Sequence, residues 1–223
     1  MTKQAAETKI LKAFELTWVM YDPTDRFGVI MALFTLSPVF VTLMHVTLVA
    51  FQRDLDSVSM FLGQVTSEVL NKVLKKAINQ RRPDGARMGG SGMPSAHSQF
   101  ISYFASYAVA YTWSRLNSHR YMEQCFTIVG AILLALLTCY SRVRLGYHTK
   151  DQVIVGALVG VLAGFTWHAL ISMVSPWLFP LVAQSRVAQF FYLRDISHIP
   201  DLIVHQHELC YLDAAASFKN KFQ

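Results

Sequence analysis

Long apolar runs, separated by short polar connections, dominate the pattern of this chain. The clearest run, residues 27–51, carries no charged side chain, and its length of about 25 residues suffices to cross about 30 Å of hydrocarbon with some tilt. Pro38 lies inside this run, which membrane helices tolerate when neighbouring groups satisfy the freed carbonyl. Four further candidate spans cover residues 58–78, 95–113, 125–140 and 152–174. The pattern therefore predicts an all-α fold, a polytopic membrane helical bundle with about five transmembrane helices.

The two ends of the chain mix apolar, aromatic and charged residues instead. This mixture is typical of segments that lie at the membrane interface rather than across the bilayer. We therefore expect three parts: an interfacial N-terminal segment at residues 1–26, a transmembrane domain at 27–175 and an interfacial C-terminal tail at 176–223.

Composition supports a membrane protein and narrows its partners. Charged residues make up 15% of the chain, against about 25% in soluble domains, which is too few to cover a soluble surface. The formal net charge is +6, and a basic balance suits nucleic acid, anionic lipid or an anionic substrate. No nucleic-acid recognition motif appears in this largely apolar sequence. An anionic headgroup or a phosphate is therefore the expected partner, and nucleic acid is not.

The second candidate span differs from the first because polar side chains enter its second half. They recur at helical spacing and share one predicted face: Glu68, Asn71, Lys72, Lys75, Lys76 and Asn79. Ionisable residues inside a membrane face protein or water and are functional candidates. The alternative is a helix end whose lysines extend to the interface. We favour the functional interpretation because Glu68 lies deep in the span.

A short motif, Pro94-Ser95-Ala96-His97, follows a cation-rich loop. Proline keeps the residue before it out of a helix, and serine is a strong N-cap, so a helix is predicted to start here. His97 then lies in the first helical turn, where free backbone N–H groups and the helix dipole favour an anion. The motif indicates a phosphate site, and the alternative is an ordinary N-cap beside a positively charged membrane flank.

A second group of candidate residues follows the fourth span. Arg142 ends that span and His148 precedes the fifth, so one short connection holds both. Two spans separate this connection from the one that precedes the third span, so both emerge at the same membrane face. Six side chains can therefore meet without any charge crossing the bilayer: Lys75, Arg82, Ser95, His97, Arg142 and His148.

These residue types suit phosphoryl transfer. Arginine offers a planar fork of donors that matches phosphate oxygens, and lysine adds a point charge. Two histidines allow one to attack phosphorus and the other to protonate the leaving oxygen. A metal mechanism would require paired carboxylates, and the acids near these motifs, Glu68, Asp84 and Asp151, are not paired in sequence. We therefore predict a phosphatase that uses no metal and no other cofactor.

Three pieces in this order resemble the signature of the type 2 phosphatidic acid phosphatase superfamily. They are Lys75 followed after six residues by Arg82-Pro83, then Pro94-Ser95-Ala96-His97, then Ser141-Arg142 followed after five residues by His148. The resemblance implies a helical core with a histidine nucleophile and no metal. By position it implies that His148 is the nucleophile and His97 the general acid. It implies that phosphate is bound by Lys75, Arg82, Ser95, the Ala96 amide and Arg142.

The chain departs from that family pattern at two positions. Alanine stands at 96 where the family usually has glycine, which is a mild change. Gln152 stands four residues after His148, where the family usually has an aspartate that orients the nucleophile, and the nearest carboxylate is Asp151. We favour Gln152 as the orienting residue, since its amide oxygen can accept from the imidazole. The alternatives are that Gln152 forms a capping box with Thr149 and that Asp151 is an acid in a first helical turn.

Segments around the motifs resemble one subfamily more closely, the dolichyldiphosphatases. They are residues 36–41, 92–95, 97–100, 147–149 and 152–153, and a glutamine at 152 fits that subfamily as well. The resemblance implies an endoplasmic-reticulum membrane enzyme that cleaves dolichyl diphosphate to dolichyl phosphate at the lumenal face. The lipid carrier of N-glycosylation would thereby be recycled. Loop charges do not decide the orientation, because several cations on the site face are required by the chemistry.

Two alternatives stay open at this point. The motifs alone suit phosphatases of other lipid phosphates, such as a sphingoid base phosphate, phosphatidic acid or undecaprenyl diphosphate. A membrane protein that binds anionic lipid without catalysis would also show a cationic cluster. The oligomeric state is not determined by the sequence.

Overall fold

The computed structural model describes residues 19–21, 25–83, 90–115, 120–199 and 201–221. The predicted interfacial segment before residue 19 lies outside this range, as does Asp84. The described residues form helices α1 (Gly28–Thr35), α2 (Ser37–Gln52), α3 (Leu55–Ile78), α4 (Ala96–Arg115), α5 (Tyr121–Arg144), α6 (Lys150–Ala183), α7 (Arg186–Phe190) and α8 (Leu202–Lys221). Apart from two isolated bridge pairs they form no β-structure, which confirms the predicted all-α fold.

Within the described residues, three helical stretches are long and apolar enough to cross a membrane: Gly28–Gln52, Tyr121–Arg144 and Lys150–Ala183. Helices α3 and α4 carry more polar residues, and they pack among the other helices of the bundle. Length and composition thus indicate a multi-pass membrane protein. The number of five spanning helices stays a prediction.

The first apolar run is broken near its middle into α1 and α2. Pro38 lies in the first turn of α2, where its missing N–H removes no helical hydrogen bond. Buried hydroxyl pairs hold this break against α5. Thr35 Oγ1 lies 2.9 Å from Ser141 Oγ, and Ser37 Oγ lies 2.8 Å from Thr138 Oγ1. The break therefore holds the end of α5 that carries Arg142.

Helix α4 is the centre of the bundle and packs most extensively against α6, then against α5. The glycines at 156, 160 and 164 let the α4 and α6 backbones touch, as their four-residue spacing predicts. A Cβ atom added to Gly156 would lie 2.6 Å from the Ser95 carbonyl oxygen, and one on Gly160 would lie 2.3 Å from the Gln99 carbonyl oxygen. This contact brings the start of α6 directly beside the start of α4.

A buried amide network joins α3 to α4. Asn71 Nδ2 donates to Gln99 Oε1 at 2.8 Å, and Gln99 Nε2 donates to the Ser67 carbonyl oxygen at 2.8 Å. Asn71 Nδ2 also reaches the Pro94 carbonyl oxygen at 3.4 Å. These bonds satisfy polar groups in an apolar setting, and they hold α3 against the residues that precede His97.

The polar stripe on α3 is only partly covered by the rest of the bundle, and the prediction that it faces protein or water stays a prediction. Asn71 is buried and Lys75 is half-buried, whereas Lys72, Lys76 and Asn79 are exposed. These residues differ in exposure because α4 packs against one side of α3 and leaves the adjacent side uncovered.

Helix α6 is longer than the predicted span at 152–174. It continues through Pro176 and Pro180 to Ala183, so its 34 residues reach about 50 Å, more than the hydrocarbon thickness. Prolines are tolerated in membrane helices because neighbouring groups satisfy the freed carbonyls. Residues beyond α7 return to the α2–α3 turn, where Arg194 N donates to the Arg53 carbonyl oxygen at 2.9 Å.

Candidate active site

The connection between α5 and α6 folds back onto the end of α5. The backbone N–H groups of Tyr147 and His148 both donate to the Arg142 carbonyl oxygen, at 3.1 and 3.2 Å. Gly146 supports this turn with φ +72°, a left-handed conformation that glycine adopts without strain. Arg142 and His148 are therefore held together by backbone geometry.

Gln152 lies against His148, and it also caps α6. Its Oε1 atom is 3.0 Å from His148 Nδ1 and accepts from Thr149 N at 3.3 Å, while Thr149 Oγ1 accepts from Gln152 N at 3.3 Å. Both interpretations of Gln152, as the partner of His148 and as the capping-box residue, thus describe the same side chain. Asp151 is exposed at the outside of the turn.

The hydrogen bonds of Gln152 determine which nitrogen of His148 carries its proton. Gln152 Nε2 donates to the Arg81 carbonyl oxygen at 2.8 Å, and Oε1 accepts from Thr149 N. Because a carbonyl can only accept and a backbone N–H can only donate, the orientation of the amide follows. Oε1 is therefore an acceptor for His148 Nδ1–H, and His148 Nε2 retains the lone pair that a nucleophile requires.

Arg142 is buried and stacked. Its side chain is 2% exposed, and its guanidinium carbon lies 4.1 Å from the centre of the Tyr147 ring, a cation–π contact that restricts the fork. The Tyr147 hydroxyl accepts from Met20 N at 2.8 Å. Among the residues that the structure describes, Arg142 Nε has no hydrogen-bond partner, so a buried donor is available to an anion.

Arg144, the last residue of α5, has a different role. It pairs with Asp25 through two hydrogen bonds of 3.1 and 2.9 Å. The pair ties the residues before α1 to the end of α5 and lies on the exposed side. Arg144 is thus a structural cation.

The second motif lies at the start of α4, as predicted. Ser95 precedes the first helical residue, Ala96, whose backbone N–H is among those that a helix leaves unpaired. Ser95 N donates to the Gln152 carbonyl oxygen at 3.0 Å, so this amide is used within the fold. Ser95 Oγ accepts from Ser98 Oγ at 3.0 Å, which leaves the Ser95 hydroxyl proton for another acceptor.

The remaining predicted residues converge on the same place. His97 is in electrostatic contact with four of them: Arg142, His148, Lys75 and Arg82. Lys75 lies in the last turn of α3, and its carbonyl accepts from Asn79 N at 3.0 Å and from Ser91 Oγ at 3.1 Å. All the site residues predicted from the sequence therefore form one cluster, built from the ends of α3 and α5 and the starts of α4 and α6.

The electrostatics of this cluster keep His148 neutral. Burial lowers the pKa of His148 to about 3, with Arg142 and Arg82 as the next causes, and the hydrogen bond to Gln152 opposes the shift. The imidazole is therefore unprotonated at neutral pH. Three cations around a neutral base make the site complementary to a phosphate.

No group of three or more His, Cys, Asp or Glu side chains within the described ranges is placed to hold a metal ion. Glu68 lies on α3 close enough to Lys72 and Lys75 for electrostatic contact. Its Oε1 atom is buried and has no hydrogen-bond partner in the described part of the chain. Nothing in the structure assigns it a role.

Residues 56–176 match the family model described as the PAP2 superfamily. The chain belongs to the PAP2 superfamily. This match confirms the resemblance drawn from the three motifs, and PAP2 membership makes the protein a phosphatase.

Curated PAP2 relatives match most of the chain. Dolichyldiphosphatase 1 of Dictyostelium discoideum is 39% identical over 194 residues, which cover 85% of each protein. Dolichyldiphosphatase 1 of Homo sapiens is 35% identical and is covered to 88%, with 89% of this chain aligned. Lipid phosphate phosphatase gamma of Arabidopsis thaliana is 34% identical, and the alignment covers 89% of this chain and 90% of that protein.

A solved PAP2 structure shares the fold. It is the crystal structure of a transmembrane PAP2 type phosphatidylglycerolphosphate phosphatase from Bacillus subtilis, with a TM-score of 0.57 and 24% sequence identity. The similarity covers 66% of this chain and 77% of that one. The helical arrangement around the site is therefore that of a PAP2 enzyme.

Four residues support the site through contacts that the sequence did not predict, although Asn71 was among the polar residues singled out on α3. Tyr147 stacks on Arg142, Asn71 and Gln99 brace the residues before His97, and Gly92 leaves room for Gln152. A Cβ atom on Gly92 would lie 2.6 Å from Gln152 Nε2. The amides of Asn71 and Gln99 inside apolar helices were a usable signal, because polar groups there need buried partners.

Proposed function

We propose that this protein hydrolyses dolichyl diphosphate to dolichyl phosphate and inorganic phosphate through a phosphohistidine intermediate, without a metal. The observation that carries the proposal is the placement of His148, neutral and with its Nε2 lone pair free, inside a cluster of Lys75, Arg82 and Arg142. The names of the Dictyostelium and human relatives support the diphosphate substrate.

In the first step, His148 Nε2 attacks the terminal phosphorus of the substrate. The N–P bond forms while the bond from that phosphorus to the bridging oxygen breaks. In the substrate complex His97 is protonated, because the diphosphate anion beside it favours the charged imidazole, and it gives that proton to the departing dolichyl phosphate oxygen. Arg142, Arg82 and Lys75 bind the equatorial oxygens, assisted by the Ser95 hydroxyl and the Ala96 amide, because phosphoryl transfer depends chiefly on positioning and charge neutralisation.

In the second step, a water molecule attacks the phosphohistidine. His97, now neutral, takes the proton of that water and returns to its starting state. Inorganic phosphate leaves and His148 regains its lone pair. Throughout the cycle Gln152 Oε1 accepts from His148 Nδ1–H, which stabilises the ring in the attacking orientation.

We place the enzyme in the endoplasmic-reticulum membrane, with five spanning helices at residues 27–175 and the site facing the lumen. The interfacial segments at 1–26 and 176–223 then flank this phosphatase domain. Removal of one phosphate from dolichyl diphosphate would return the lipid carrier to N-glycosylation. The names of the relatives support the dolichyl diphosphate substrate, and the long apolar helices support the placement in a membrane.

A second candidate function is the hydrolysis of a different lipid phosphate. The relative from Arabidopsis carries the name lipid phosphate phosphatase gamma, and the cations Lys75, Arg82 and Arg142 suit the phosphate of any such lipid. A purified preparation offered dolichyl diphosphate and phosphatidic acid in parallel separates the two. We expect kcat/KM for dolichyl diphosphate to be at least about tenfold higher, with full activity in excess chelator. A preference for phosphatidic acid would select the second candidate, and strong magnesium dependence would contradict the metal-free mechanism.

The low pKa of His148 predicts a specific pH behaviour in the free enzyme. An ordinary histidine titrates near 6.5, whereas His148 is held neutral down to about pH 3. We expect the ring signals of His148 to stay unchanged between pH 8 and pH 5. Nuclear magnetic resonance of histidine-labelled enzyme, assigned by comparison with His148→Asn, measures this. A titration midpoint near 6.5 would contradict both the buried position of the ring and its neutrality.

A further inference from the structure

Gln152 contacts all three motif regions at once. Its carbonyl oxygen accepts from Ser95 N at 3.0 Å, its Oε1 atom faces His148 Nδ1 at 3.0 Å, and its Nε2 atom donates to the Arg81 carbonyl oxygen at 2.8 Å. The residue is 1% exposed. One side chain therefore lies between the nucleophile and the backbone next to Arg82.

We infer that Gln152 is a positioning residue for phosphate binding as well as for the nucleophile: its amide N–H fixes the Arg81–Arg82 backbone relative to His148. The inference rests on the proposed function, in which Arg82 binds the phosphate that His148 attacks. It assigns to the amide group a second task that a carboxylate at the same position could not perform.

The chemistry of the amide makes this double role possible. The side chain at position 152 must accept a hydrogen bond from His148 Nδ1–H and donate one to the Arg81 carbonyl oxygen. An amide has one atom for each task, whereas a carboxylate has two acceptors and no donor. A carboxylate oxygen would face the Arg81 carbonyl oxygen, and the two would repel each other.

Backbone contacts hold the described part of the loop around Arg81. Gly92 N donates to the Gln80 carbonyl oxygen at 2.7 Å, and Arg81 pairs with Ser91 as an isolated bridge. Gln152 adds the link from this loop to α6. The absence of a side chain at Gly92 is part of the arrangement, because a Cβ atom there would overlap the Gln152 amide.

Inorganic phosphate binding to Gln152→Met in a His148→Ala background tests the inference. Methionine is neutral and of similar length, so it removes the donor without adding charge. The His148→Ala background removes the imidazole, so Gln152 cannot act through it. We expect phosphate affinity to fall about tenfold when Gln152→Met is added, the equivalent of losing the one part-buried hydrogen bond to the Arg81 carbonyl oxygen. Unchanged affinity would overturn the inference.

Two matched controls separate positioning from the loss of the helix cap. Asp151→Asn changes the exposed neighbour in the same turn, and Thr149→Val removes the capping hydroxyl but keeps the Gln152 amide. In the same background we expect phosphate affinity within about twofold of the parent for both. If Thr149→Val weakens phosphate binding as much as Gln152→Met, the effect belongs to the cap and the inference is wrong.

Amide hydrogen exchange gives a readout that is independent of activity. The segment 78–83 should exchange faster in Gln152→Met than in the parent, and at the parent rate in Asp151→Asn, because the lost bond anchors that segment. Equal exchange in the three proteins would contradict the link. Failure of the wild-type enzyme to cleave dolichyl diphosphate would overturn the proposed function, whereas the phosphate-binding and exchange results would still decide the role of Gln152.

Discussion

Replacement of His148 by alanine is expected to lower kcat/KM for dolichyl diphosphate by at least about 10⁴-fold. The variant lacks the only side chain proposed to form a bond to phosphorus, and loss of a nucleophile removes the chemistry rather than the binding energy. The Lys75, Arg82 and Arg142 cations stay in place, so inorganic phosphate should bind with nearly unchanged affinity. Steady-state kinetics and phosphate binding on the same preparation measure both quantities.

A trapping experiment identifies the intermediate directly. Wild-type enzyme mixed with substrate labelled in its terminal phosphate and quenched in alkali, where phosphohistidine survives, should carry the label on the peptide that contains His148. The His148→Ala enzyme should carry none. Retained turnover in the variant, or label on another residue, would show that a different group attacks. Loss of phosphate binding together with activity would favour a purely structural role for His148.

Replacement of Arg142 by lysine is expected to lower kcat/KM by about 100-fold, despite the unchanged charge. Arginine presents two parallel donors to a phosphate and stacks flat on an aromatic ring, whereas lysine does neither. Arg142 has both features, a guanidinium stacked at 4.1 Å on Tyr147 and a buried Nε donor. Loss of charge-assisted hydrogen bonds worth about 2–3 kcal/mol corresponds to the expected effect. Phosphate affinity should fall in parallel.

Arg144→Lys is the matched control for Arg142→Lys, since it makes the same change on the same helix at a cation that pairs with Asp25. We expect it to change kcat/KM by less than about threefold, as is usual for an exposed ion pair. Equal losses in the two variants would mean that Arg142 acts through the stability of α5. Wild-type activity in Arg142→Lys would make Arg142 a flanking cation without a role in phosphate binding.

The site is built from the ends of four different helices. Its motifs therefore lie far apart in sequence. Each motif lies at a helix end, where backbone N–H groups or the last turn face water. The glycines of α6 bring the starts of α4 and α6 into backbone contact, and the hydroxyl pairs at the α1–α2 break hold the end of α5. The helices of the bundle therefore bring the cationic side chains of Lys75, Arg82 and Arg142 together.

The sequence by itself determined the helical fold and the motif residues, and it predicted that the motifs come together. These follow from local information, namely apolar runs long enough to span a bilayer and the count of spans between two connections. Glycines at every fourth position likewise predicted that another helix approaches α6 closely, although not that this helix is α4. The length of α6 was not, because prolines at 176 and 180 read as helix breakers when the groups around them are unknown.

The tertiary structure alone decided how the side chains divide their hydrogen bonds. Gln152 and Arg81 are 71 positions apart, and Tyr147 meets Met20 across 127. No periodicity connects such residues, so the donor role of Gln152, the tautomer of His148 and the stacking of Arg142 were out of reach of the sequence. The division of the α3 stripe into buried Asn71 and exposed Lys72 has the same cause, because which arc of a helix is covered depends on its neighbour.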